Sequence, residues 1–198
     1  MTRAKFVSAR RRMVETQLRW RGICDERVLA AMGRVPREQF LPEHLQAHAY
    51  DDGPLPLAEG QTISQPYIVA RMLELLAVKP HDKVLEIGTG WGYAAAVLAE
   101  LAHEVHTVER LPTLAERARS HLEAAGYAQV RVHSGDGTQG WPQDAPYDGI
   151  IAAAAAAVVP EPLQTQLAPG GRLVLPLPDD DLRQRLMRLR KHRQRQIS

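Results

Sequence analysis

One stretch of the 198-residue sequence has residue types and spacing suited to chemistry on a bound nucleoside. Val84, Leu85 and Ile87 form a short apolar run broken only by Glu86, and Gly88, Gly90 and Gly92 follow at alternate positions. Glycine has no Cβ, so the backbone can turn sharply there and approach a ligand closely. The Ala/Leu-rich residues 94–100 then have the composition of a helix. About twenty residues further on, Glu109 closes a second apolar run, where a carboxylate can accept hydrogen bonds from ribose hydroxyls. The Gly-x-Gly-x-Gly spacing differs from the Gly-x-Gly-x-x-Gly of dinucleotide binders. It points away from a pyrophosphate cradle and toward a nucleoside without phosphate, of which S-adenosylmethionine is the common example. A purely structural turn is the competing reading, and the strand, helix and distant acid together favour the cofactor loop.

Such a loop works only if its neighbours hold it in place. Val84–Ile87, Val105–Val108, Val130–His133, Tyr147–Ile151 and Arg172–Leu177 read as strands, with helices at Pro66–Leu76, from Pro112 to about Ala125, and at Pro160–Leu167. The alternation predicts an α/β fold: a doubly wound, mostly parallel, Rossmann-like sheet with helices on both faces. Ligands bind such sheets beyond the carboxyl ends of the strands. Gly88–Gly92, Glu109, Asp136 and the loop from Ala152 all fall there, so they are expected to face one crevice. Ahead of the sheet, Phe6, Met13, Val14 and Leu18 mark an amphipathic helix over residues 5–20, ended by Gly22. Asp25 is placed to cap a second helix through Met32, and Pro36 to open a third short one with Phe40 and Leu41. These form an N-terminal helical extension.

The Gly/Pro-rich residues 50–65 carry several hydroxyls and are too long for a plain connector, which marks the loop as functional or disordered. The expected organisation is residues 1–78 as helical region plus loop 50–66, 79–190 as the nucleoside-binding part, and 191–198 as a basic tail, all in one structural unit. Residues 182–190 fit a helix through Leu182, Leu186 and Leu189, or a poor strand alternation.

Bulk properties exclude several classes. No stretch approaches the apolar length of a membrane span. The basic start, Met1–Arg12, lacks the apolar core of a secretory signal and reads as a solvated basic helix, with a weak organellar transit peptide as the alternative. Cys24 is the only cysteine, which rules out an internal disulfide and fits a reducing, cytoplasmic setting. It reads as a small apolar residue near a helix start. The net charge of +2 hides an asymmetry: residues 183–198 hold seven of the 25 Lys/Arg and none of the 23 Asp/Glu. A protein that lives on nucleic acid spreads its positive charge over a folded face, so a solvated tail is favoured over a nucleic-acid arm. The eight histidines show no metal-ligand spacing and read as surface or packing residues, with no metal expected.

With these residues placed, the sequence resembles the protein-L-isoaspartate O-methyltransferases of bacterial type, from about Met13 to Leu177. The resemblance rests on Pro54-Leu55-Pro56, on Gly60-Gln61-Thr62-Ile63-Ser64-Gln65-Pro66, on residues 84–93, on Gly135-Asp136-Gly137 and on Pro169-Gly170-Gly171-Arg172-Leu173-Val174. The glycine loop and the Pro-Gly-Gly turn recur in many methyltransferases, whereas the Gly-Gln-Thr-Ile-Ser loop is distinctive. The resemblance implies a class I enzyme that moves a methyl group from S-adenosylmethionine to the isoaspartyl carboxylate of damaged proteins. It would be a cytoplasmic, monomeric repair enzyme without a metal.

Carried over residue by residue, Gly88, Gly90 and Gly92 would approach the methionine part of the donor, with Glu86, Thr89 and Arg110 also at the cofactor. Glu109 would hold the ribose, and Asp136 with Gly137 the adenine edge. Thr62, Ile63 and Ser64 would border cofactor and substrate, with the Ser64 hydroxyl on the substrate carboxylate as the catalytic group and Gln65 and Pro66 beside the substrate. Structural alternatives exist for three of them: Glu109 as a surface acid, Asp136 as a turn residue, and Ser64 as the N-cap of the Pro66 helix. Two departures stand out. Ala152–Ala157 is all alanine where relatives mix in Gly, Thr or Pro. Relatives also continue past the equivalent of Arg190 into a strand that helps close the pocket. The alternative expectation is therefore a methyltransferase-like protein with another acceptor or impaired catalysis.

Overall fold

The computed structural model describes residues 2–57, 60–153, 157–178 and 184–192. The centre of the alanine run (154–156), Leu182, Arg183 and residues 193–198 of the basic end lie outside the described residues.

The apolar spacing of the N-terminal region produces helices, though not one continuous α-helix. Helix α1 (Arg3–Arg12) passes into a π-helical segment, Met13–Leu18, and a single 3-10 turn closed by Gly22. Phe6, Met13, Val14 and Leu18 are all buried. Helix α2 (Glu26–Arg34) begins where expected, because the Asp25 carboxylate accepts hydrogen bonds from the N–H groups of Arg27 and Val28. Those donors have no partner within the helix. After Pro36 the segment Arg37–Phe40 makes a 3-10 turn that buries Phe40. Strands β1 (Leu55–Pro56) and β2 (Thr62–Ile63) pair antiparallel, so the hydroxyl-rich loop is drawn into a small hairpin flap. Helix α3 (Pro66–Leu76) follows it directly, with proline in its first turn. Cys24 lies just ahead of the Asp25 cap, near the helix start as expected, and is exposed.

From there strands and helices alternate: β3 (Lys83–Ile87), α4 (Tyr93–Ala99), β4 (Glu104–Glu109), α5 (Pro112–Ala124), β5 (Arg131–Ser134), β6 (Tyr147–Ala152), α6 (Glu161–Thr165), β7 (Leu167–Pro178) and β8 (Gln184–Arg190). The large sheet has six strands in the order β5-β4-β3-β6-β7-β8. The first five are parallel and β8 is antiparallel. This is the α/β, doubly wound, mostly parallel fold that the alternation predicts. Strand order reverses between β3 and β6, which opens a crevice above their carboxyl ends. The glycine turn leaves β3 at that point.

Alternate residues feed two apolar layers. Val84, Ile151 and Val174 join a core shared with α3, α4, α5 and the N-terminal helices, while Leu85, Ile150, Leu173 and Leu175 face a second layer covered by α6. Burial on both faces makes these strands continuous apolar runs, which is why they are easy to recognise.

Two boundaries differ from expectation, and one open choice is decided. Helix α6 is five residues long, and β7 begins at Leu167, with Pro169–Gly171 inside an irregular stretch of its pairing with β6. Residues 184–190 are a strand. Leu186 packs against one apolar layer and Leu189 against the other, so their three-residue spacing serves opposite faces of an edge strand and not one face of a helix. Lys191, where the basic tail is expected to begin, is tied to the sheet. The Lys191 backbone continues the pairing with Gly170 and Gly171, and its ammonium donates to the Thr165 and Leu167 carbonyls at 2.9 and 2.7 Å.

A buried ion pair fastens the base of this sheet. Asp82, just ahead of β3, accepts from the Lys79 N–H at 2.8 Å and from the Arg172 guanidinium. Arg172 also donates to the Leu76 and Ala77 carbonyls at the end of α3, at 2.8 and 3.2 Å. Both side chains are almost wholly buried. Removing one partner strands the other charge in the interior, a loss of about 3–5 kcal/mol. Asp82→Ala is expected to lower the melting temperature by roughly 6 °C or more. The double variant Asp82→Ala/Arg172→Met should recover much of that loss; thermal denaturation of the two variants checks both expectations.

Candidate functional site

Gly88 and Gly90 carry the chain away from β3 with positive φ (+91° and +55°), a conformation that costs glycine little. The turn is held on both sides: the Gly88 N–H donates to the Val108 carbonyl at 2.9 Å and the Ala153 N–H to the Ile87 carbonyl at 3.0 Å. Its principal strap is Glu109. One carboxylate oxygen accepts from the Gly90 N–H at 2.9 Å and the other from the Leu111 N–H at 3.1 Å. Glu109 is only 7% exposed, so the reading as a surface acid is wrong.

Beneath the turn, Glu86 is buried and accepts from the Thr107 hydroxyl at 2.6 Å; Thr107 in turn lies 2.6 Å from the Thr89 hydroxyl. Burial pushes the Glu86 pKa up to about 8 against the opposing Thr107 hydrogen bond, and the nearby Glu109 charge adds to the rise. The group is therefore largely uncharged at neutral pH.

Three adjoining cavities form one crevice. The first lies between the turn and the flap, lined by Thr62, Ile63, Ser64, Glu86 and Gly88–Gly90. The second shares Gly88 and extends past Glu109, Arg110, Asp136 and Gly137. The third shares Thr62 and Ser64 and runs along Gln65, Ile68 and Met72 to Pro176, Gln184 and Leu186. Strand β8 thus supplies a wall at the place where the sequence left the pocket's closure in question. Asp136 accepts from both the N–H and the hydroxyl of Thr138 at 2.9 Å, and the N–H bond holds its pKa below the usual carboxylate value. Turn residue and cavity wall are the same residue there. A Cβ on Gly137 would sit 2.4 Å from the Ile87 side chain, so only glycine fits.

Ser64 is half-buried, and among the described residues its hydroxyl has no hydrogen-bond partner. The capping alternative fails, because the N-cap of α3 is Gln65 and no side chain caps it. The Gln65 amide donates to Asp52 at 2.6 Å, and Asp52 pairs with Arg21 at 2.9 Å. Of the other expected site residues, Pro66 is buried in the first turn of α3 and Gly92 faces Leu122. Neither lines these cavities.

Two nearby residues gave no signal in the sequence. Arg37 is fully buried, with no carboxylate partner among the described residues. Its guanidinium lies 4.8 Å from the Tyr93 ring centre, donates to the Ala49 carbonyl at 2.8 Å and donates to the Ser64 carbonyl at 3.0 Å. Burial pulls its pKa down. Trp91, inside the glycine turn, is buried against His121 and Arg117 and lines the first cavity. The histidines are also not all scattered: His106 and His133, with Asp144, come together outside the crevice. Strand pairing brings them into contact across a separation that no local motif records.

A family model described as protein-L-isoaspartate(D-aspartate) O-methyltransferase matches residues 8–198. A protein-L-isoaspartate O-methyltransferase from Marinobacter nauticus is 61% identical over 168 residues, covering 85% of this chain and 77% of that protein. One from Methanoculleus marisnigri is 60% identical over 168 residues, covering 85% and 76%. A solved protein-L-isoaspartate O-methyltransferase superposes with a TM-score of 0.82 at 32% identity; it covers 92% of this chain, which spans 60% of that longer one. A structure from Plasmodium falciparum, described as a beta-aspartate methyltransferase in complex with S-adenosyl-L-homocysteine, has the same fold, with a TM-score of 0.80 at 24% identity over 92% and 89% of the two chains.

The raised pKa of Glu86 sets a pH dependence of stability. Between the ordinary carboxyl range and pH of about 8 the folded chain keeps a proton that the unfolded chain has released. The contribution to stability is therefore complete at low pH and declines as pH rises through that window. Glu86→Gln removes the titration, so its melting temperature relative to the parent should climb between pH 5 and pH 9, by roughly 2–4 °C per kcal/mol recovered. Parallel curves for the two proteins would contradict the assignment.

Proposed function

The chain belongs to the protein-L-isoaspartate(D-aspartate) O-methyltransferase family, and we propose that its methyl transfer takes place in the crevice between the Gly88–Gly90 turn and the Thr62–Ser64 flap. It is an S-adenosylmethionine-dependent methyltransferase whose acceptor is the isoaspartyl carboxylate of proteins. The observation that carries the site is the continuity of the three cavities at the strand ends. In this reading the adenosine lies along Glu109, Arg110, Asp136 and Gly137, with Glu109 at the ribose. The methionine part lies over Gly88, Thr89 and Gly90 with Glu86 beneath. The peptide occupies the third cavity, against Gln65.

The chemistry asks little of acid–base groups. A carboxyl group in water has a pKa of ~4, so the acceptor is already ionised at neutral pH. Its oxygen attacks the methyl carbon as the carbon–sulfur bond breaks; the sulfur keeps the electron pair, leaving a methyl ester and a thioether. No proton moves. What the site supplies is in-line alignment and exclusion of water. The Ser64 hydroxyl, with no partner among the described residues, orients the carboxylate as a neutral donor. Among the described residues no Lys or Arg lines the first or third cavity. Arg37 fixes the Ser64 carbonyl and thereby the flap. We assign the enzyme to protein repair in the cytoplasm, acting as a monomer. A single cysteine fits that setting, and among the described residues no helix is long and apolar enough to cross a membrane.

Two experiments test this reading. Labelled methyl should pass from S-adenosylmethionine to a peptide in its isoaspartyl form and not to the same peptide in its aspartyl form; label on the aspartyl form alone overturns the reading. Ser64→Ala removes a hydrogen bond to a charged acceptor and should lower kcat about 10- to 100-fold with donor affinity little changed. If Arg37 acts through Ser64, Arg37→Leu lowers kcat as well, and the double variant falls little below the worse single one. Assays below the melting temperatures of all three variants keep folding losses apart from catalytic ones.

A further inference from the structure

We propose that His106, His133 and Asp144 form a site for one divalent transition-metal ion of the zinc type, separate from the methyl-transfer crevice. The three residues come from β4, β5 and the turn that precedes β6, and none of them lines the crevice cavities. His106 Nδ1 lies 3.0 Å from His133 Nε2 and 3.5 Å from an Asp144 carboxylate oxygen. All three donor atoms are within 4.8 Å of one another. Zinc bonds of about 2.0–2.2 Å in a tetrahedron set ligand atoms about 3.3 Å apart. Two of the three separations straddle that spacing and the third is at most 4.8 Å, so an ion draws the His133 and Asp144 donor atoms together by a turn of their side chains.

The surroundings orient each donor. On the far side of the His106 ring, Nε2 lies 2.9 Å from a Glu104 carboxylate oxygen, which places the proton on Nε2; Nδ1 then accepts from the His133 Nε2–H at 3.0 Å, and an ion entering between the rings takes the place of that proton, which moves to His133 Nδ1. A carboxylate behind a histidine is the usual support of a zinc ligand. His133 stacks on Trp141 with ring centres 4.1 Å apart, and the Trp141 indole N–H donates to Asp144 at 3.0 Å. The Tyr147 ring packs edge-on against His106.

Two nitrogens and one carboxylate, with water in a fourth position, select borderline ions such as zinc, nickel or cobalt over magnesium or calcium. Positive charge opposes binding: the Arg131 guanidinium lies 3.8 Å from the second Asp144 oxygen and 2.8 Å from Glu104, the Lys83 ammonium donates to the Asp144 carbonyl at 2.5 Å, and Arg119 donates to the Val132 carbonyl beside His133. A bound ion would cross-link three segments that are far apart in sequence and stiffen the β4–β5 side of the sheet.

The test uses full-length protein without an affinity tag, titrated with cobalt(II) and followed by its visible absorption. Expected are the intense band of four-coordinate cobalt at one equivalent, displacement by zinc, and a melting temperature that rises with zinc concentration. His133→Gln and Asp144→Asn should each abolish the band, and Glu104→Gln should weaken binding about tenfold. Methyl transfer by all three variants should stay close to that of the parent, which also reports that they are folded. A six-coordinate spectrum throughout, or four-coordinate binding that survives both ligand substitutions, overturns the proposal.

Discussion

The carboxylate of Glu109 holds the site together. It joins the end of one strand to the turn after the neighbouring strand by accepting N–H groups from Gly90 and Leu111. Charge-assisted bonds of this kind are roughly twice as strong as neutral ones. They also satisfy donors that a tight turn would otherwise leave bare in a buried place. Without them the glycine turn would keep only its backbone bonds, and the Gly90 and Leu111 N–H groups would lose their acceptor. Its position relative to Asp136 and to the flap would then drift by more than an in-line displacement tolerates. The same carboxylate adds its charge to the raised pKa of Glu86, so the geometry of the turn and the electrostatics beneath it share one origin.

The opposite lip is fixed by different means. A two-residue hairpin has little stability of its own. The flap is steadied by the Arg37 bond to the Ser64 carbonyl and by the contact of Gln65 with Asp52. Arg37 is a costly anchor, a charge buried among carbonyls and an aromatic ring, with one guanidinium nitrogen lacking a partner among the described residues. Such a group serves placement more than stability. One lip of the crevice is thus tied to the sheet and the other to the N-terminal helices. Their shared apolar core keeps the two in register.

The sequence made the central strands, the glycine turn and Glu109 legible for a simple reason: strands buried on both faces leave unbroken apolar runs, and a sharp turn between strand and helix leaves glycines. Where burial is partial the pattern fades. Residues 184–190 pair on one side only, and Leu186 and Leu189 serve opposite faces, which imitates helical spacing. Arg37 and Trp91 were invisible because their roles arise from contacts with distant segments, not from neighbours along the chain. The contact of His106 with His133 has the same cause: it exists only once β4 and β5 pair. Ser64 and Gln65 were conspicuous through their motif, yet which of them caps α3 depended on the path of the flap.

Strand β8 is also the rim of the sheet, since no described strand pairs beyond it. An uncovered rim exposes backbone donors and acceptors that invite a strand from another molecule, and natural proteins discourage this with charge. Arg185, Arg188 and Arg190 are all exposed along this strand. Stacking a second copy rim to rim would bring like charges together in surroundings poorer in water. Exposed positive charge along a rim is one of the devices that discourage such edge-to-edge pairing.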